Sequence, residues 1–139
     1  MILLDTSGLL PVLDSSEPGH AACAEIIQGA DVPLLLSPFV LAELDYLLGS
    51  RVGARARIAL LDEVVRGAYR LEPFGPADVV LARKVMARYA TLALGLTDAS
   101  IVVLADRRGT KDTLTLDERH FRVVRTSNRR PLRLRPADG

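Results

Sequence analysis

The chain has 139 residues, 49% apolar and 25% charged, with a net charge of +1. That length and balance predict one soluble globular domain with a substantial core, residues 1–139, and exclude a disordered chain. No apolar run reaches the length of a membrane span, the first residues lack the basic flank of a signal peptide, and a lone Cys23 excludes an internal disulfide, so a cytoplasmic location is expected.

The small net charge conceals a polarity. Residues 1–50 carry seven acids and no Lys or Arg, whereas residues 107–139 carry ten basic residues against four acids. Sixteen of the 18 basic residues are Arg, which suits bidentate phosphate contacts, although GC-rich coding also enriches Arg. The segregation says more: an anionic partner that brings cations, such as a nucleic acid with bound Mg²⁺, satisfies both halves.

In chain order, Ile2-Leu3-Leu4 reads as a short strand buried on both faces and closed by Asp5. Ser7–Leu13 predicts a short helix interrupted by Pro11, and His20–Gln28 a helix closed by Gly29. Cys23 falls inside that helix with no nearby histidine and reads as a buried small hydrophobe. Leu34-Leu35-Leu36 is a second buried strand; Ser37 then offers an N-cap and Pro38 a first helical position. The stripe of that helix is Phe39, Val40, Leu44, Leu47 and Leu48, with Gly49 as its stop. A helix over 53–67 should turn Ile58, Leu61, Val64 and Val65 inward. Tyr69–Glu72 predicts an edge strand and Pro76–Tyr89 a helix. Thr97 can cap a buried helix that begins at Asp98 and contains Ile101–Ala105. Thr113–Leu116 is a strand ending in Asp117, and Phe121–Arg125 one more short strand. Residues after Thr126 read as a basic C-terminal strand or loosely held tail. Strands alternating with helices indicate an α/β sandwich around a short, mainly parallel sheet.

Four acids stand where such a sheet gathers them at one end. Asp5 and Asp117 close apolar strands, Glu43 lies on the side of its helix expected to be buried, and Asp98 opens a buried helix whose N-terminus favours an anion. Each alone is also explained as a turn, a cap or a solvated helix residue. Together they are mutually repelling carboxylates that need a counter-charge. Oxygen ligands without Cys or a His pair favour Mg²⁺ or Mn²⁺, and the chemistry such an ion suits is phosphodiester cleavage. No Ser/His/Asp or Cys/His arrangement offers a side-chain nucleophile. His20 reads as a surface residue. His120, just beyond Asp117, is either a structural residue or a substrate contact.

The stretches Leu4-Asp5-Thr6-Ser7, Leu41-Ala42-Glu43-Leu44, Leu94-Gly95-Leu96-Thr97-Asp98-Ala99-Ser100 and Thr115-Leu116-Asp117-Glu118-Arg119-His120-Phe121 resemble, in this order, the PIN-domain ribonucleases of the VapC toxin family. The resemblance spans nearly the whole chain. It implies a three-layer α/β/α PIN-like sandwich and metal-binding, catalytic acids at Asp5, Glu43, Asp98 and Asp117. It also implies Mg²⁺-dependent endonucleolytic cleavage of RNA, often at one site in a tRNA or ribosomal RNA. Further implications are a homodimer, a heteromeric complex with a cognate VapB-like antitoxin whose C-terminal segment wraps the toxin, and operator DNA reached only through that antitoxin. One departure is Thr91, where many relatives carry a further Asp seven residues before the acid matching Asp98; a fifth ligand and a second metal site are thereby in doubt. A phosphatase using an aspartyl-phosphate would want a second acid two residues after Asp5, where Ser7 stands. A non-catalytic RNA-binding or regulatory PIN-like domain would be marked by loss of one of the four acids, and none is lost.

Overall fold

The computed structural model describes residues 1–139. Five strands, β1 (Ile2–Leu4), β2 (Leu34–Leu36), β3 (Arg70–Leu71), β4 (Asp112–Leu114) and β5 (Arg133–Arg135), form one sheet in the order β3-β2-β1-β4-β5. Every neighbouring pair is parallel. All three residues of β1 are buried, as the unbroken apolar run requires of a central strand covered by helices on both faces. The chain lays β2 and β3 on one side of β1, then crosses back to lay β4 and β5 on the other. The switch point of the topology is therefore the crevice beyond the carboxyl ends of β1 and β4, where ligands gather in open α/β sheets. Asp5 and Thr115 lie there.

Seven helices connect and cover the strands: α1 (Thr6–Leu13), α2 (His20–Gly29), α3 (Pro38–Arg51), α4 (Ala54–Val65), α5 (Pro76–Arg88), α6 (Leu96–Arg108) and α7 (Glu118–Phe121). The core is built on β1, β2 and α6, from residues such as Leu3, Leu4, Leu35, Leu36, Ile101 and Leu104. Gly8 explains how α1 seats on β4. A Cβ at this position would lie 2.4 Å from the Leu114 carbonyl oxygen, so only glycine permits the approach that brings Ser7 over the end of β4.

Several local expectations are corrected by tertiary context. Pro11 lies inside α1 without interrupting it; only two helical residues follow, and the Pro11 carbonyl accepts a 2.6 Å bond from His20 Nδ1. His20 is thus half-buried and engaged. Gly49 does not stop α3, which runs to Arg51; the missing side chain makes room for Arg57 of α4, 2.8 Å from where its Cβ would stand. On α4 Leu60 is buried and Val64 packs half-buried against the core as expected, while Ile58 (59% exposed), Leu61 (40%) and Val65 (87%) face out, against expectation. α4 packs mainly against α3. The predicted strand over Phe121–Arg125 is instead the end of α7 and a turn. The tail is not loose: β5 completes the ladder on β4, Leu134 is fully buried, and Arg122 pairs with Asp138 at 2.7 Å.

Candidate metal centre

Asp5 occupies the N-cap position of α1, but its side chain caps nothing. Its Oδ2 accepts instead from Ser7 Oγ (2.6 Å) and Thr115 Oγ1 (2.7 Å). Those hydroxyls are fixed in turn: Ser7 Oγ accepts from the Leu116 amide at 2.9 Å, and Thr115 Oγ1 from the Asp117 amide at 3.0 Å. Asp5 is 4% exposed, and this burial pushes its pKa up, with the two hydroxyls opposing. The sequence marked Asp5 but not Ser7 or Thr115. A hydroxyl one turn after a strand-ending acid is common, and only the pairing of β1 with β4 brings these two to one oxygen.

Asp98 is the third residue of α6, behind a Gly95 cap; Thr97 is not the cap. A hydroxyl chain sets the start of this helix against the start of α3. Ser100 Oγ donates to the Thr97 carbonyl (2.6 Å) and lies 2.7 Å from Ser37 Oγ, which itself accepts from the Phe39 amide. Asp98 is half-buried and accepts no hydrogen bond from the protein. Burial, then the charge of Asp5, then Asp117 and Glu43 push its pKa up to about 6, with His120 opposing. The helix dipole favours the anion by only about 0.3–1 kcal/mol and does not win here.

Asp117 lies three residues beyond β4 and N-caps α7: Oδ1 accepts from the His120 amide at 3.0 Å, and Oδ2 is 2.7 Å from His120 Nδ1. The same Nδ1 is 3.9 Å from Asp98 Oδ2. The bond to Asp117 raises the pKa of the imidazole, as do the charges of Asp117 and Asp98, against partial burial. Asp98, Asp117 and His120 each offer a ligand atom within 4.8 Å of the others. Glu43, the sixth residue of α3, is exposed rather than on the buried side, because Val40, Leu44 and Leu48 take the inward stripe. Its charge nevertheless reaches Asp98. All four acids thus bear on one place, Asp5 and Asp117 held by hydrogen bonds, Asp98 beside them without one, and Glu43 from the rim.

The arginines nearest in sequence to Asp98 and Asp117 are mostly committed elsewhere. Arg107 pairs with Asp78 (3.1 Å), Arg108 with Glu72, and Arg122 with Glu118 and Asp138. Arg119 makes no ion pair.

A parallel α/β sheet with carboxylates gathered at its switch point defines a class of α/β proteins whose site could hold a hard divalent cation. The comparisons with known proteins are specific within that class. The PIN domain family matches residues 2–126. Ribonuclease VapC26 of Mycobacterium tuberculosis is 44% identical over 124 residues, covering 89% of this chain and 92% of that protein. Among solved structures, VapC20 of Mycobacterium tuberculosis, described as a sarcin-ricin loop cleaving toxin, superposes with a TM-score of 0.79 at 20% identity over 84% of this chain and 90% of that one. VapBC2 from Rickettsia felis, bound to a DNA fragment from its promoter, has a TM-score of 0.56 at 17% identity, covering 78% and 83%. The chain belongs to the PIN-domain family and, within it, to the VapC ribonucleases.

Proposed function

We propose that the chain is the toxin of a type II toxin–antitoxin pair: an endoribonuclease, dependent on Mg²⁺ or Mn²⁺, that hydrolyses a phosphodiester bond in a structured RNA of the tRNA or ribosomal RNA class. The observation that carries this reading is Asp98, an acid raised to about pH 6 among Asp5, Asp117 and Glu43, with no protein donor to its carboxylate. The donor set fits a hard divalent cation, since carboxylate oxygens dominate it. Bound there, such an ion supplies an activated water and neutralises charge building on the phosphate. The chain's own residues do the placing. Ser7 and Thr115 hold Asp5 in one orientation, the Ser37–Ser100 contact fixes the start of α6 and hence Asp98, and Glu43 reaches in from the rim.

The relative that cleaves the sarcin-ricin loop supports a ribosomal substrate, and the VapC26 likeness supports ribonuclease chemistry. A VapB-like antitoxin neutralises the activity in this reading. The exposed apolar residues of α4 give such a partner a surface, and operator DNA is met only through it. The active form is a homodimer in the cytoplasm. Purified protein incubated with ribosomal and transfer RNA, with 5′-end sequencing of the products, tests the reading. One dominant cleavage position is expected, abolished by EDTA and by Asp5→Asn or Asp98→Asn in a folded protein. Cleavage that persists in excess EDTA, or binding of RNA without any cleavage, overturns it.

A further inference from the structure

The end of the molecule away from the carboxylates carries a second polar recess. α6 leads from Asp98 to its last residue, Arg108, a distance of about 15 Å at the helical rise per residue. Beyond that end a cavity of about 240 Å³ opens between the α6–β4 turn and the loop that follows Thr126. Its wall includes Asp106, Lys111, Thr126, Ser127, Asn128 and Arg130, and Ala105 is its one hydrophobic lining residue. The loop is fixed in place. Asp106 Oδ1 accepts from the Ser127 amide at 2.8 Å and from the Ser127 hydroxyl at 3.0 Å. The Thr126 amide donates to the Arg130 carbonyl at 3.0 Å, and Thr126 Oγ1 accepts from the Arg130 amide at 3.2 Å.

The cations here are free. Arg107, Arg108 and Arg133, close by in the chain, are each held in an ion pair, whereas Lys111 and Arg130 make none. Asp106, the only acid in the wall, is engaged by Ser127 and pairs with neither. The C-terminal end of α6 brings partial negative charge, but that field fades within the last turn, which carries Arg107 and Arg108. Two unpaired cations at the mouth of a polar cavity suit an oxyanion, and Arg130 brings the fork that phosphate prefers. The cavity is smaller than the roughly 300–1,000 Å³ of sites that enclose a drug-sized ligand. No aromatic residue lines it to stack a base. It therefore fits a phosphate group on a chain that continues outside better than it fits a whole nucleotide.

We propose that this cavity is a second phosphate-binding site, which seats the backbone of an RNA whose scissile bond lies at the metal centre. The inference rests on the reading of the chain as an RNA nuclease and extends it to how substrate is held. Lys111 and Arg130 take the phosphate, and the anchored loop keeps Arg130 in place. Only an RNA long enough to reach both ends of α6 makes the contact. No base is read there, so the site adds affinity and orientation without sequence preference.

The test measures the affinity of the full chain for ribosomal RNA against salt, in EDTA so that the RNA stays intact. Wild type is compared with Lys111→Gln/Arg130→Gln, Lys111→Arg/Arg130→Lys and Arg133→Gln. Both target side chains are exposed, so the variants should melt as wild type does. The double glutamine variant should flatten the slope of log affinity against log salt by about one to two, and bind about 10-fold more weakly at low salt. Lys111→Arg/Arg130→Lys keeps both charges and should behave as wild type, as should Arg133→Gln. In Mg²⁺ the double glutamine variant should show a raised KM for ribosomal RNA with kcat unchanged. A short oligonucleotide carrying the same cleavage position should be cut equally by variant and wild type. An unchanged salt slope in the double glutamine variant overturns the proposal, and the nuclease reading stands if wild type still cleaves. Amide resonances of Ser127 and Asn128 separate the other occupants. If inorganic phosphate or poly-glutamate moves them while RNA affinity ignores the double substitution, the cavity takes a free anion or an acidic peptide and the proposal falls. Wild type that cleaves no RNA in Mg²⁺ removes the nuclease reading, and the proposal with it.

Discussion

At the C-terminal end of α6, Arg108 donates through Nε and Nη2 to both oxygens of Glu72, the second pair at 2.8 Å. Glu72 is 1% exposed, yet the guanidinium holds its carboxyl below the usual range. At the N-terminal end of the same helix, Asp98 is less buried, its side chain 22% exposed, and its pKa is pushed up to about 6. Of the two acids, Glu72 is thus the more easily ionised. Burial is costly for both, and the difference lies in what answers it. One end of α6 carries its own cation. The other end gathers more carboxylates and meets only the imidazole of His120. Internal compensation marks Glu72 as part of the scaffold, whereas the uncompensated charge at Asp98 marks the end where something external is expected.

The sharpest way to break this contrast is to remove the internal cation. Arg108→Ala leaves Glu72 buried and unpaired, and a fall in melting temperature of about 10 °C is expected, with Arg108→Ala/Glu72→Leu recovering most of it. A melting temperature within 2 °C of wild type would show that the pair is not a structural element.

The opposite end should respond to metal instead. Mg²⁺ at a hundredfold excess over its dissociation constant should stabilise wild type by about 2.7 kcal/mol. Asp98→Asn should lose most of that gain while being at least as stable as wild type without metal, because the substitution removes repulsion and leaves packing intact. Melts of both proteins at fixed ionic strength measure the two effects together. An Asp98→Asn protein that is less stable without metal and shifts normally with it would make Asp98 an ordinary helix-start residue.

The metal-free protein should also carry a signature in pH. Asp98 titrates near 6 in the folded chain against 3.8 ordinarily, so between those values the native state holds a proton that the unfolded chain has lost. Stability therefore declines as pH rises from about 4, and the loss is complete above about 6.5. A displacement of this size corresponds to at most about 3 kcal/mol, reduced by partial solvation to about 1–2 kcal/mol. His120, whose pKa is raised, shifts stability in the same direction as pH rises through its own range. Denaturant titrations at pH 5 and 7.5 should thus show a smaller decline in Asp98→Asn than in wild type. An equal decline would place the pH dependence elsewhere.

The smallest effect concerns RNA binding. Arg107, Arg108 and Arg122 are held in ion pairs, while Arg119 is not. Arg119→Ala is expected to lower the salt dependence of RNA affinity by about one phosphate contact. Arg122→Ala should leave the slope unchanged, and a reversal of these two would mean that the Glu118 and Asp138 pairs open on binding.

The alternation of short buried strands and helices, the central place of Ile2–Leu4 and the Ser37 cap were legible in the sequence, because each depends on neighbours within a few residues. An unbroken apolar run favours a covered strand, as at Ile2–Leu4 and Leu35–Leu36, and a serine before a proline caps a helix locally. The remaining features depend on residues far apart in the chain. Ser7 and Thr115 meet at one oxygen of Asp5 because β1 pairs with β4, the two hydroxyls standing 108 positions apart in the chain. Glu43 faces solvent because α3 turns Val40, Leu44 and Leu48 into the core, and α4 exposes Ile58 and Val65 because it packs mainly on α3. The tail became β5 because the free edge of β4 offered unpaired backbone groups that Arg133–Arg135 could satisfy while burying Leu134. Apolar spacing records which side chains can be buried. Which of them are buried, and which acids are left without a partner, is settled by the elements that reach the sheet first.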